Sequence, residues 1–199
     1  MSRVITTLRQ KTDYSRWADT RNIFASWESR TQRAAALVPQ NSRVIEFGAG
    51  NRTLERNLDQ SCTYTPSDIV DRGPGTIICD LNLRPLPDLG VDAYDVAVLM
   101  GVLEYMRDMP SVLDWLTELV PTCVLSYACA RGSRYSPRRV HRSIGRLKAG
   151  WLNSYREEEI RSLFNERAFA QLHEESWQNQ RIFVFSRRSS LRHHTPDST

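Results

Sequence analysis

Three acidic residues stand at or near the ends of short runs that read as strands. Glu46 lies in Val44-Ile-Glu-Phe47 and precedes Gly48-Ala49-Gly50. Asp68 closes Thr63-Tyr-Thr-Pro-Ser67, and Asp80 follows Thr76-Ile-Ile-Cys79 and opens Asp80-Leu81-Asn82. In an open sheet, ligands bind outside the carboxyl ends of the strands, at the switch point. An acid ending the second strand can accept hydrogen bonds from both hydroxyls of a ribose. An acid after the third strand is placed to accept from an adenine amino group, with backbone N–H as a second contact. Gly48 and Gly50 let the chain turn sharply and approach a ligand without a Cβ in the way. A dinucleotide site would need G-x-G-x-x-G/A, with a small third residue for close helix packing. Here Gly48-Ala-Gly-Asn-Arg-Thr53 ends in Thr, and the Glu46 charge repels a pyrophosphate but suits a cationic amino group.

Such residues need strands to carry them and helices to cover the strands. Trp17, Ile23, Phe24, Trp27 and Ala34 to Leu37 recur at three- and four-residue spacings, which predicts helix across the first 40 residues. Pro39-Gln-Asn-Ser42 breaks that pattern. Strands are expected at 43–47, 63–67, 76–79, 94–100 and 122–127, with helices beginning at Thr53 and spanning 111–119. Tyr94-Asp-Val-Ala-Val-Leu-Met100 is apolar on both faces, as a parallel strand covered on two sides should be. Ser154-Tyr-Arg-Glu157 has the form of a capping box opening a helix to about Arg167. Two closing strands, near 170–176 and 181–185, form a hairpin. The fold class is therefore α/β: a Rossmann-like, seven-stranded, mostly parallel sheet with helices on both faces and a C-terminal antiparallel hairpin. Residues 1–40 are expected to be a helical part of the same domain, residues 41–188 its main body and residues 189–199 a flexible tail.

Composition narrows the function classes. The chain has 199 residues, 40% of them hydrophobic and 25% charged, which suits one globular domain. Mean hydropathy is -0.49, and no apolar run approaches the roughly 18 residues that span a bilayer. The N-terminus lacks the uninterrupted apolar stretch of a signal peptide, so a cytoplasmic location is expected. The 4 Cys form no C-x-x-C pair and no zinc-spaced cluster, so neither a disulfide framework nor a metal site is expected. Net charge is +4, but it is concentrated: from Arg131 to Arg156 there are eight Arg or Lys residues and no acid. Such a segment prefers an anionic partner.

At Val44-Ile-Glu-Phe-Gly-Ala-Gly50, Asp68, Cys79-Asp-Leu-Asn82 and Tyr94-Asp-Val-Ala-Val-Leu-Met-Gly-Val-Leu-Glu-Tyr105, the sequence resembles class I S-adenosylmethionine-dependent methyltransferases. The resemblance covers about Arg30 to Phe185. It is closest in general character to small bacterial enzymes of glycan or small-molecule type. It implies S-adenosyl-L-methionine as cofactor. It implies that Glu46, Gly48, Ala49 and Gly50 hold the methionine moiety, that Asp68 and the following Ile69 meet the ribose, and that Asp80, Leu81 and Asn82 meet the adenine. Gly101, Val102 and Leu103 would form the floor beneath the sulfonium. Arg30 would pair with the cofactor carboxylate.

Many small-molecule members carry Leu-Glu-His after the fourth strand, where this chain has Leu103-Glu104-Tyr105. A base, needed only if the acceptor must lose a proton, would come from His141, Glu104 or Tyr105; His173 suits a structural role in an edge strand. Arg138, Arg139 and Arg142 flank His141 and are the candidate ligands of an anionic acceptor. Trp151 and Asn153 are candidates to line a sugar or small-molecule pocket. The expected reaction is O-methylation of a small or glycan-like anionic acceptor. An RNA or protein methyltransferase docking through 131–156, and a non-catalytic cofactor-binding protein, are the alternatives. The Asn/Asp-Pro-Pro-Tyr/Phe and Pro-Cys motifs of nucleic-acid enzymes are absent, so nucleic acid is not favoured. Oligomeric state is not legible.

Overall fold

Strands that are apolar on both faces belong in the middle of a sheet. β1 (Arg43–Phe47) and β4 (Val96–Met100) lie side by side there, paired in parallel from Val44 opposite Val96 to Phe47 opposite Leu99. The structure is a computed structural model and describes residues 11–130, 145–146 and 149–188. The other strands are β2 (Thr63–Asp68), β3 (Ile77–Ile78), β5 (Thr122–Tyr127), β6 (Phe169–Trp177) and β7 (Gln180–Arg187). Their order across the 7-stranded sheet is β3-β2-β1-β4-β5-β7-β6. β1 to β5 run parallel; β7 pairs antiparallel with both β5 and β6. The chain winds one way from β1 to β3 and the other way from β4, so the switch point lies between β1 and β4.

Alternation along the strands divides the core. Ile45, Ala97, Leu99, Leu125 and Phe183 face one layer, while Val44, Val96, Val98, Val124 and Val184 face the other. This is the period of two that a pleated strand imposes. The helices with described bounds are α1 (Tyr14–Ala18), α2 (Glu28–Ala36), α3 (Met109–Leu119) and α4 (Glu157–Asn165). α2 supplies Ala34 and Ala35 to the second layer. α3 and α4 supply Leu113, Leu116, Ile160 and Phe164 to the first. Asp108 caps α3 by accepting the Ser111 N–H at 3.1 Å.

Four local expectations change. The first 40 residues are not one helical run. Asp13 and Asp19 turn their carboxylates onto the Arg16 and Arg21 N–H groups, which ends and restarts the helix. α1, two 3-10 turns (Thr20–Asn22 and Ala25–Trp27) and α2 result. The expected helix from Thr53 shrinks to a 3-10 turn, Glu55–Asn57, after Arg52 takes φ 54°, a left-handed value that interrupts a helix start. The third strand keeps only Ile77 and Ile78. α4 opens two residues after the expected box. The Tyr155 N–H donates to the Tyr127 hydroxyl at 2.9 Å and keeps the chain extended until Arg156, whose N–H the Glu159 carboxylate accepts at 2.8 Å. Among the described residues, no helix is long and apolar enough to cross a membrane.

Candidate active site

The turn after β1 is built against the end of β2. The Gly48 and Ala49 N–H groups both donate to the Ser67 carbonyl, at 2.8 and 3.0 Å. Gly48 has φ 73°, and a Cβ there would lie 2.6 Å from the Val102 Cγ2. The turn therefore needs glycine for its backbone and for its neighbour. The Gly50 N–H donates to the Asp68 Oδ2 at 2.9 Å, which joins the turn directly to the acid.

Each of the three acids is buried or engaged. Glu46 is 4% exposed, and its Oε2 accepts the Tyr64 hydroxyl at 2.5 Å. Burial pushes its carboxyl up to about 8; the Tyr64 hydrogen bond pulls the other way and loses, and the nearby Asp68 charge adds to the rise. Asp68 Oδ2 also accepts the Arg72 Nε–H at 2.9 Å, in an ion pair whose side chains are both 6% exposed. Asp80 accepts the Tyr14 hydroxyl at 2.7 Å and the Asn82 N–H at 2.8 Å. Burial, then the Asp80 bond, pushes the Tyr14 phenol up to about 12. Asn82 donates to the Tyr105 carbonyl at 2.9 Å and accepts the Arg107 N–H at 2.8 Å. The loop after β3 is thereby bracketed to the turn after β4.

That turn rests on Arg30. Gly101 has φ 72°, and a Cβ there would lie 2.7 Å from the Arg30 Nη1. Arg30 is buried; its Nη2 donates to the Met100 carbonyl at 3.0 Å and its Nη1 to Gln180 Oε1 at 2.9 Å. Loss of water pulls its pKa down, against the pull of Glu104, Tyr105 and Glu46. Its Nε has no partner among the described residues.

A cavity of about 320 Å³ opens over these groups. It is bordered by Arg30, Glu46, Gly48, Ala49, Gly50, Asp68, Ile69, Asp80, Leu81, Asn82, Gly101 and Val102, and by Tyr105. Leu103 is fully buried and does not border it. Neither does Glu104, whose Oε1 accepts the Ala128 N–H at 2.8 Å and whose carboxyl burial pushes up. Trp151 and Asn153 also lie off the cavity, although Gly150 and Leu152 border it. The Trp151 indole donates to the Tyr105 hydroxyl at 3.2 Å. Asn153 is a staple: its Nδ2 donates to the Leu103 and Met106 carbonyls at 2.6 and 2.8 Å, and its Oδ1 accepts the Tyr127 hydroxyl. His173 sits in β6 beside a register shift, far in sequence from these groups. His141, Arg138, Arg139 and Arg142 lie outside the described residues. Among the described residues no cluster of His, Cys, Asp or Glu could hold a metal ion.

Sequence reading did not single out Arg16 and Arg72, which also border the cavity. The spacing Asp68 to Arg72 was visible, but only the folded loop turns it into a contact. Arg72 further donates through Nη2 to the Trp17 carbonyl at 2.5 Å, so α1 is fastened to the loop after β2.

A family model described as a methyltransferase domain matches residues 20–175. No curated protein matches the sequence significantly. Among solved structures, magnesium protoporphyrin IX methyltransferase from Synechocystis, with S-adenosylmethionine bound, superimposes with a TM-score of 0.61 at 17% identity, over 92% of this chain and 95% of its own. An O-methyltransferase family protein from Burkholderia thailandensis gives 0.64 at 17% identity, over 92% of this chain and 62% of its own. Mitomycin 7-O-methyltransferase gives 0.63 at 14% identity, over 94% and 61%. This chain spans less than two thirds of the last two. The sheet order, the glycine turn and the matched span together place the chain in the methyltransferase-domain family, with the class I S-adenosylmethionine-dependent fold.

Proposed function

We propose that the protein is an S-adenosylmethionine-dependent methyltransferase that methylates an oxygen on a small or glycan-like anionic acceptor. One observation carries the cofactor reading: a single cavity gathers the glycine turn, Glu46, Asp68 and Asp80, with Val102 and Arg30 packed closely on Gly48 and Gly101. The residues fit the cofactor's chemistry. Glu46 offers a carboxylate, held protonated by burial, that a cationic amino group would draw into its ionised form. Asp68, oriented by the Gly50 N–H and Arg72, suits ribose hydroxyls. Asp80 and the Leu81 backbone suit an adenine edge, and Gly101 and Val102 supply the floor. Arg30, braced by Met100 and Gln180, presents its remaining guanidinium edge to a carboxylate. When bound, the cofactor supplies a methyl group activated on a sulfonium for in-line displacement. The chain's own work is alignment and exclusion of water, which supply much of the rate in such a step.

The acceptor reading rests on the uncompensated positive segment from Arg131 to Arg156. Arg138, Arg139 and Arg142 are its proposed anion contacts, and His141 is the proposed base where the acceptor oxygen must lose a proton. Tyr105 borders the cavity and is the other group near the reacting end.

The test is calorimetry of S-adenosylmethionine binding to Asp68→Asn, with transfer to phosphorylated and carboxylated sugars as the activity readout. A charge-assisted contact of this kind is worth about 1.5–3 kcal/mol, so affinity should fall roughly 10- to 150-fold. Arg72 keeps an oxygen acceptor in this variant, and unfolding curves confirm that it folds. Unchanged affinity in a folded variant refutes the assignment. Protection of the wild type from unfolding by NAD but not by S-adenosylmethionine overturns the reading as a whole.

A further inference from the structure

We infer that Arg16, on α1, receives the anionic group of the methyl acceptor. The inference rests on the proposed cofactor and reaction, assigns the acceptor's anion to Arg16 in place of Arg138, Arg139 and Arg142, and specifies the acceptor as a carboxylate or phosphate monoester on a small cyclic body. α1 borders the cavity through Arg16 and Trp17. Tyr14 is bonded to Asp80, the Trp17 carbonyl to Arg72, and the Arg16 Nη1 to the Ala149 carbonyl at 2.6 Å. The strap is thereby tied to the loops after β2 and β3 and to the segment leading to α4.

Among the described residues four arginines border the cavity: Arg16, Arg30, Arg56 and Arg72. Arg72 is paired with Asp68, Arg56 spends its Nη groups on its own loop, and Arg30, braced by Met100 and Gln180 with its own Nε also unpartnered among those residues, is the group proposed for the cofactor carboxylate. Arg16 differs. No carboxylate among the described residues pairs with its side chain; the Asp13 carboxylate accepts its backbone N–H instead. Its Nε is shielded from water and has no partner among the described residues. A buried N–H left unpaired costs free energy that an arriving acceptor oxygen would return. The Nε and Nη2 of an arginine form one edge of the planar fork, which matches two oxygens of a carboxylate or phosphate. In Arg16 that edge lies opposite the bond to Ala149.

Its surroundings fix the guanidinium in place. The Arg16 Cζ stands 4.3 Å from the Trp17 ring centroid and 5.8 Å from that of Tyr105, and the two rings meet edge to face at 5.1 Å. Stacked guanidinium and rings make a wall that is apolar in body and cationic at one point. Tyr105 closes the turn that begins at Gly101, so the charge stands beside the floor on which transfer is proposed to occur. A small ring bearing one anionic group matches such a wall.

The test is binding of matched probes to protein loaded with S-adenosylhomocysteine, followed by calorimetry. The pairs are 4-hydroxybenzoate against 4-hydroxybenzamide, and phenyl phosphate against phenol. In the wild type at least one anion should bind about tenfold or more tightly than its neutral partner, and the stronger of the two pairs tells carboxylate from phosphate. Arg16→Gln should abolish that preference while S-adenosylhomocysteine affinity stays within about threefold. Arg16→Lys should keep part of it, since it retains charge and loses the fork, and it carries the test should Arg16→Gln fail to fold. A preference that survives Arg16→Gln, or a wild type that binds neither anion more tightly than its neutral partner, overturns the inference. A wild type that does not bind S-adenosylhomocysteine counts against the cofactor reading instead, and the anion preference is then read on the unloaded protein.

Discussion

Gly48→Ala should damage both stability and cofactor affinity, and the two causes can be separated. The residue has φ 73°, where a side chain costs about 1–2 kcal/mol over glycine. The new methyl would also stand 2.6 Å from the Val102 Cγ2. Val102 is β-branched, with few rotamers to escape into, so the turn or the floor must shift. Overpacking of this kind costs about 1–3 kcal/mol. Together the change should lower stability in urea by about 2–5 kcal/mol. Displacing the turn should also weaken S-adenosylmethionine binding by at least about tenfold, since contact distances in such sites are short. Adding Val102→Ala removes the obstructing methyl but leaves the backbone strain. The double variant should therefore recover the overpacking part and no more. Urea denaturation and calorimetry on the four proteins of this cycle measure both quantities. Wild-type stability and affinity in Gly48→Ala, or no recovery in the double variant, would show that the close approach to Val102 is not what reserves this position for glycine.

Glu46 makes a pH-dependent prediction. Its folded pKa of about 8 lies above the ordinary 4.5, so the folded protein holds a proton that the unfolded chain gives up. Its stabilising contribution is fully present below about 4.5 and is lost as pH rises through about 8. Thermal unfolding of Glu46→Gln should lack that decline. At pH 7 a cationic ligand group arriving at Glu46 should expel up to one proton. Calorimetry in two buffers of different ionisation enthalpy should detect that proton in the wild type and not in Glu46→Gln. Asn153→Ala removes three hydrogen bonds from the joint between the β4 turn, Tyr127 and the segment before α4. It should cost about 2–4 kcal/mol in urea. An acceptor KM that rises with unchanged stability would instead place Asn153 in the acceptor site.

Much of the architecture was legible because it depends on local chemistry. The run 94–100, apolar on both faces, marks β4 as a strand covered on both sides, and 43–47 reads as a short buried strand; the fold sets the two side by side at the centre. Alternating Ile182 to Phe185 marks a strand wherever it is placed. The ordered glycines and acids identified the ligand's end of the sheet, because parallel topology brings all strand ends of one sense together. Twelve residues named from that pattern or implied by the family resemblance border one cavity.

Other features depend on which distant groups meet, and periodicity carries no record of that. Trp151 and Asn153 read as pocket aromatics and amides, but fold against Tyr105 and Tyr127, because buried polar atoms take whatever partners the packing supplies. Glu104, a candidate base by position, turns its carboxylate to the Ala128 N–H. The helix expected at Ser154 waits until Arg156 because Tyr155 is bonded to a residue 28 positions away. Arg16 is one arginine among many in the sequence, and it is its placement against Trp17, Tyr105 and the Ala149 carbonyl that distinguishes it. Residue types and short spacings determined the sheet, its order of motifs and the ligand class. Only the tertiary structure decided which charges are paired and which are left to meet a substrate, since a charge's role is set by its neighbours in space and by the water it has lost.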